Sequence, residues 1–181
     1  MIPNVHIKAI ASMYLNRHPD EEDQLRPLFD ALAESDPVAT RERLAGHVTA
    51  SAFVVDSGNR VLHIEHKGLG KLLQPGGHTE PEDETLIGAA KREVAEETGI
   101  KSVDTIGGGD LPMRIDVHRI PHSDSKGEPE HWHADFQFAL RRTDTEAVML
   151  QEEEVSGHRW IPVQDLATEM VRDRLHVLLK N

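Results

Sequence analysis

The chain has 181 residues, 32 of them acidic and 20 basic, giving a formal charge of −12, and it contains no cysteine. That length suits one full domain with an appendage, and the charge argues against attraction to a nucleic-acid backbone. The missing thiols exclude disulfides, thiol nucleophiles and cysteine-based zinc sites, while the absence of a bilayer-length apolar run or a signal-peptide pattern predicts a soluble cytoplasmic protein without a membrane partner. Residues 1–45 read as helical: Val5 to Asn16, Glu21 to Glu34, and a short piece near Val38 to Leu44. Asp20 ahead of Glu21-Glu22-Asp23 suits a helix start, and Leu25, Leu28, Phe29 and Leu32 recur at helical spacing.

Strand patterning begins at His47. Val48 to Val55 is rich in β-branched and small residues, Asp56-Ser57-Gly58-Asn59 reads as a turn, and Val61 to Ile64 returns as the second arm of a hairpin. A glycine pair, Gly76-Gly77, stiffened by Pro75, then leads toward a helix in which Glu93, Glu96 and Glu97 stand three and four residues apart. At roughly 100° per residue, their carboxylates fall within about a 100° arc of one helical face. Like charges at such spacing destabilise a helix by a few tenths of a kcal/mol, so the set needs a partner. A hard divalent cation such as Mg²⁺ is the natural one, since it prefers carboxylate and phosphate oxygens. A solvated acidic face is the alternative reading of the glutamates taken alone. Leu86, Ile87, Ala90 and Val94 supply a stripe for docking the helix, Asp83 or Glu84 suits its start, and Gly99 suits a left-handed cap.

The run from Gly77 to Ile100 resembles the signature of the Nudix hydrolases. Glu84 is followed by seven residues and then Arg92-Glu93-Val94-Ala95-Glu96-Glu97-Thr98-Gly99-Ile100, which fills every fixed position of the second half of that signature. Six residues rather than five separate Gly77 from Glu84, so the loop through Glu80-Pro81-Glu82-Asp83 is one residue longer than the usual pattern. The resemblance implies an α/β fold, a mixed β-sheet sandwiched between helices, over residues 46–181, with residues 1–45 as an N-terminal helical extension. It implies that Glu93, Glu96, Glu97 and the Gly76 carbonyl hold Mg²⁺ (or Mn²⁺ in its place), that Glu97 or Glu96 helps activate water, and that Arg92 orients the carboxylates. The implied activity is hydrolysis of a phosphoanhydride in a nucleoside diphosphate linked to another moiety, or in a related small phosphorylated metabolite. Two other readings remain: a catalytically silent ligand-binding or regulatory module, against which the intact carboxylate set argues, and a diphosphate-ester isomerase, against which the lack of cysteine argues.

Beyond the signature, Met113, Ile115 and Val117 alternate with polar residues as a half-buried strand does. After a polar loop from Pro121 to Glu130, Trp132, Ala134, Phe136, Phe138 and Leu140 occupy one face of a second strand, and His131, His133, Asp135 and Gln137 the other. His131, His133 and Asp135 on alternating positions can grip a phosphate or hold a metal. His78, directly after the glycines, is a phosphate-contact candidate, and His47 a weaker one. Glu153 and Glu154 resemble the late acidic loop of Nudix enzymes, with Glu154 the candidate second base; a solvated charge run is the reading for Glu152. Arg114, Arg119, Lys67 and Lys71 are available to neutralise phosphate, Arg114 being the choice. The chain closes with a helix from about Val163 to Lys180. With two Trp, one Tyr and four Phe there are few rings for stacking on a base, and Trp132 and Trp160 read as core. The N-terminal helices offer a surface for a homodimer.

Overall fold

The computed structural model describes residues 1–107, 109–124 and 127–180. Helix α1 (Asn4–Arg17) buries Ile7, Ile10, Ala11 and Tyr14, and α2 (Glu22–Leu32) buries Leu25, Leu28, Ala31 and Leu32. Both sets follow the spacing of one helical stripe, which is why both helices lie on the core rather than in solvent. A 3₁₀ turn, Pro19–Glu21, joins them. The third helical piece expected near Val38 to Leu44 is a series of turns instead. Its backbone has tertiary partners that outcompete a helix: the Val38 amide donates to Asn4 Oδ1 at 3.0 Å, and the Val38 carbonyl accepts from Val48 at 2.9 Å.

Eight strands form one mixed sheet: β1 (Gly46–Val55), β2 (Arg60–His66), β3 (Lys71–Leu73), β4 (Gly76–His78), β5 (Val103–Thr105), β6 (Arg114–Ile120), β7 (His131–Arg142) and β8 (Val155–Pro162). The order β3-β2-β1-β7-β5 is its main path, with β4 on β1, β6 on β7 and β8 on β2. Strands β1 and β7 run parallel, from Gly46 opposite Trp132 to Val55 opposite Arg141; every other pairing is antiparallel. The expected hairpin turn is present, with Asp56 Oδ1 accepting from the Gly58 and Arg60 amides at 2.9 and 2.8 Å. Its arms part beyond Val55–Val61, however, because β2 spends its length pairing with β8 and β3.

Alternation in this register makes two different faces. On one, Val48, Ala50, Ala52 and Val54 of β1 join Ala134, Phe136, Phe138 and Leu140 of β7 and Ile115 of β6. Helices α1, α2 and α3 (Leu86–Thr98) cover them, with Trp132 and Trp160 partly buried at the margin. The other face is apolar only at one end, where Phe53, Val55 and Ala139 pack beneath Val171 and Leu175 of α4 (Glu169–Leu178). Its remaining end is polar: His47, Thr49 and Ser51 stand in register with His133, Asp135 and Gln137. Helices on both faces of a mixed sheet are the sandwich expected from the sequence. The C-terminal helix is shorter than expected: a 3₁₀ turn at Val163–Asp165 and an extended Leu166 precede it. Tyr14, Glu21 and Arg174 join the ends of the chain. Arg174 donates to Tyr14 Oη at 2.6 Å, to the Met113 carbonyl at 2.9 Å, and to Glu21, which also accepts from Tyr14 at 2.5 Å. Burial and the Glu21 carboxylate push the Tyr14 phenol up to about 12.

Candidate active site

Helix α3 is shaped at both ends by its sequence. Thr85, rather than Asp83 or Glu84, caps its start, its Oγ1 accepting from the Gly88 amide at 3.0 Å. Gly99 ends it at φ 72°, the left-handed conformation that its lack of a Cβ permits. Leu86, Ile87, Ala90 and Val94 are buried, and docking that stripe turns Glu93 and Glu97 toward β4. Asp83 has a different role from capping. It accepts from the Glu80 amide at 2.7 Å and from two guanidinium nitrogens of Arg92, at 3.2 and 3.0 Å. Arg92 also donates to Glu93 at 3.0 Å, to Glu96 at 2.8 Å and to the His78 carbonyl at 2.9 Å. One guanidinium thus ties the lengthened loop, the glycine strand and the carboxylate helix together.

Gly76 and Gly77 form β4 on the edge of β1, and neither uses the left-handed freedom of glycine. Their value is closeness. A Cβ on Gly76 would lie 2.2 Å from that of Ser51, and one on Gly77 would lie 2.7 Å from the Glu93 carboxylate. The Gly76 amide donates to Glu97 Oε2 at 2.9 Å. Glu97 is 3% exposed, and burial raises its carboxyl to about 7, helped by the charges of Glu93, Glu154 and Glu96 against the Gly76 hydrogen bond. Glu93 also rises to about 7, burial outweighing the Arg92 partner, with Glu96 and Glu154 adding repulsion. The Glu96 side chain is half exposed.

The late acidic loop is stitched to this helix: the Met149 amide donates to the Thr98 carbonyl at 2.9 Å and the Gln151 amide to that of Glu97 at 3.2 Å. Glu154 consequently acts on both Glu93 and Glu97 through its charge. Lys67 is held against that loop, its amide bonded to the Glu154 carbonyl at 2.8 Å and its ammonium to the Glu152 carbonyl. Arg119 is an exposed partner of Glu130, while Arg114 on the polar face pairs with Asp116 at 2.5 Å.

A NUDIX domain model matches residues 45–180. The chain belongs to the NUDIX family. It is 33% identical over 104 residues to a probable DHNTP pyrophosphohydrolase of Lactococcus lactis, a match covering 58% of this chain and 59% of that protein. The match therefore spans about three-fifths of the length of that curated relative. Among solved structures, a NUDIX-family hydrolase from Clostridium perfringens superposes with a TM-score of 0.55 at 25% identity, over 73% of this chain and 97% of that one. The Escherichia coli dihydroneopterin triphosphate pyrophosphohydrolase gives 0.51 at 17% identity, over 74% and 96%, a likeness of fold.

For this NUDIX chain the donor chemistry suits a divalent metal. The partly buried Glu93 and the buried Glu97 face two glycines, and burial, with repulsion from neighbouring glutamates added, raises the proton affinity of both, even though Arg92 offsets part of the rise at Glu93 and the Gly76 amide part of that at Glu97. The polar face holds more than the sequence disclosed. Asp135 shares a face with His131 and His133 but turns from them to Ser51 at 2.6 Å, Gln137 at 2.9 Å and Thr49 at 3.2 Å. The imidazoles gather instead with His47 and His78: ring centroids of His47 lie 4.5 Å from His133, 5.0 Å from His78 and 5.2 Å from His131. No local spacing relates residue 47 to residue 133. Only the parallel pairing of β1 with β7 brings them level, so a β-strand partner, had it been assigned, was the missing signal.

Proposed function

We propose that this protein is a metal-dependent pyrophosphohydrolase that cleaves a phosphoanhydride bond in a nucleoside diphosphate linked to another group, or in a related small phosphorylated metabolite. The observation that carries this is the pair Glu93, partly buried, and Glu97, buried, set against the glycine strand with both carboxyls raised to about 7. Together with Glu96 and the Gly76 carbonyl they would hold Mg²⁺, with Mn²⁺ as a substitute. Such an ion, when bound, supplies Lewis-acid neutralisation of charge on the phosphate oxygens.

The chain's own residues do the rest. Arg92 holds Glu93 and Glu96 in place and pins the β4 strand through the His78 carbonyl. Glu97 or Glu96 takes the proton of the attacking water, with Glu154 approaching from the late loop as a further base. Arg114, His78, His131 and His133 form the wall on the substrate side. The recessed hydroxyl, amide and carboxyl groups of Thr49, Ser51, Gln137 and Asp135 suit a substrate recognised by hydrogen bonds, in keeping with the scarcity of exposed rings. The name of the Lactococcus relative supports a triphosphate ester among the compounds to try. Residues 1–45 are then an extension of the domain, contributing Ile7, Tyr14, Leu25 and Leu28 to its core.

The test is phosphate or pyrophosphate release from nucleotide sugars, dinucleoside polyphosphates, nucleoside triphosphates and a pterin triphosphate with Mg²⁺ or Mn²⁺, for wild type and Glu97→Gln. Turnover of one class, reduced about 10²–10⁴-fold in the variant, is expected for loss of a catalytic carboxylate. Equal rates in the two proteins would overturn the assignment.

A further inference from the structure

The histidines of the polar face form a second constellation, distinct from the carboxylates of α3. His47 faces His133 across the parallel β1–β7 pair, and His78 enters from β4 opposite Thr49. Each of His47, His78 and His133 has a ring nitrogen within 4.8 Å of one on the other two. His131 adjoins them, its Nε2 lying 3.0 Å from that of His133.

Hydrogen bonding fixes the state of two of these rings. His47 Nδ1 lies 3.2 Å from the Arg43 carbonyl and His131 Nδ1 lies 2.8 Å from that of Pro129. A carbonyl only accepts, so in both rings Nδ1 carries the hydrogen. In a neutral imidazole Nε2 is then a bare lone pair. This carbonyl-anchored arrangement is the one that orients metal-binding histidines. Among the described residues the His47 Nε2 has no partner, and the residue is 3% exposed. An unsatisfied buried acceptor of this kind costs roughly 1–3 kcal/mol unless something binds it. His131 Nε2, likewise an acceptor, meets His133 Nε2 by taking its hydrogen or by sharing a cation with it.

We propose that His47, His78 and His133, with His131 beside them, bind a borderline transition-metal dication of the zinc class at a site separate from the carboxylates. An all-imidazole set suits Zn²⁺, Co²⁺, Ni²⁺ or Cu²⁺ and does not suit Mg²⁺ or Ca²⁺, which take oxygen ligands. Zinc–nitrogen lengths of about 2.0–2.1 Å in a tetrahedral site put ligand nitrogens about 3.4 Å apart, so side-chain rotations that move the ring nitrogens by about an ångström close the set. The bound ion would lock β4 to β1 and β7, fixing the backbone that carries Gly76, Gly77 and the carbonyl held by Arg92.

The test uses the full chain, stripped with a chelator and titrated with Co²⁺ while its visible absorption and metal content are followed. One equivalent giving a nitrogen-ligand absorption band is expected, displaced by Zn²⁺ and weakened at least tenfold in His47→Ala and His133→Ala. The band and its midpoint should persist in a Glu93→Gln/Glu97→Gln variant even where total bound metal falls, so the result does not depend on the carboxylates or on any hydrolytic activity. Far-UV circular dichroism checks that each variant folds, and His78→Ala, on the short edge strand, serves if a central-strand change unfolds the chain. No band in folded wild type, equal affinity in the folded histidine variants, or loss of the band in the glutamate variant would each overturn the proposal.

Discussion

At the scale of single residues, the site is built from pairs that need each other. Glu97 is placed by the Gly76 amide, yet it is buried, stands beside Glu93 and lies within the field of Glu154, so its carboxyl is raised to about 7. In a protein freed of metal, its folded pKa lies above its unfolded one, and the native state binds the extra proton between about pH 4.5 and 7. Stability contributed by that proton is present below the unfolded value and lost as pH rises through the folded one. The difference in Tm between Glu97→Gln and wild type, measured in chelator, should therefore grow in favour of the variant from pH 5 to pH 8. A difference that is flat with pH would mean that Glu97 titrates normally. Gly77 makes a second residue-scale prediction. Its missing Cβ leaves room that Glu93 occupies, 2.7 Å from where that atom would be. Gly77→Ala should keep the fold, as judged by circular dichroism, while lowering divalent-cation affinity by displacing Glu93; unchanged affinity in a calorimetric titration would show that this contact is unimportant.

Among the elements, α3 and the joint between α1 and α4 carry the predictions. Thr85→Ala removes the hydroxyl that receives the Gly88 amide and should cost about 1 kcal/mol in urea unfolding. Arg174→Met takes away the cation that Glu21 and Tyr14 share. It leaves a carboxylate 3% exposed without its charge partner, a loss of about 3–5 kcal/mol. Helices α1, α2 and α3 were legible because their apolar stripes lie close together in sequence. The same holds for β7, where Trp132 to Leu140 alternate without interruption, and for the Gly99 cap. What local patterning missed has a common cause in tertiary partners. Val38 gives its hydrogen bonds to Asn4 and Val48 and so leaves the helix. Asp83 goes to Arg92 and yields the cap to Thr85. Asp135 chooses Ser51 on the adjoining strand over the histidines two residues away.

Across the whole molecule, a sheet with one fully apolar face and one divided face accounts for where the chemistry sits. Three helices seal the first face, α4 seals only the apolar end of the second, and the remaining polar strip lies across β1 and β4 from α3, on the opposite face of the sheet. The signature made the carboxylate half of this region legible, since Arg92 to Gly99 is contiguous. The histidine half was legible only in part, because His47, His78 and His133 come from three strands. Among the described residues no helix is long and apolar enough to cross a membrane. On the proposed reading, this carboxylate set directs water at a phosphoanhydride. Its most direct test is hydrolysis of the preferred diphosphate compound in ¹⁸O-labelled water, with the products read by mass spectrometry. One labelled oxygen is expected on a phosphate product, formed only when a divalent cation is supplied and not by Glu97→Gln. Tight binding of the compound with no labelled product at any metal concentration would contradict it and identify a binding module in its place.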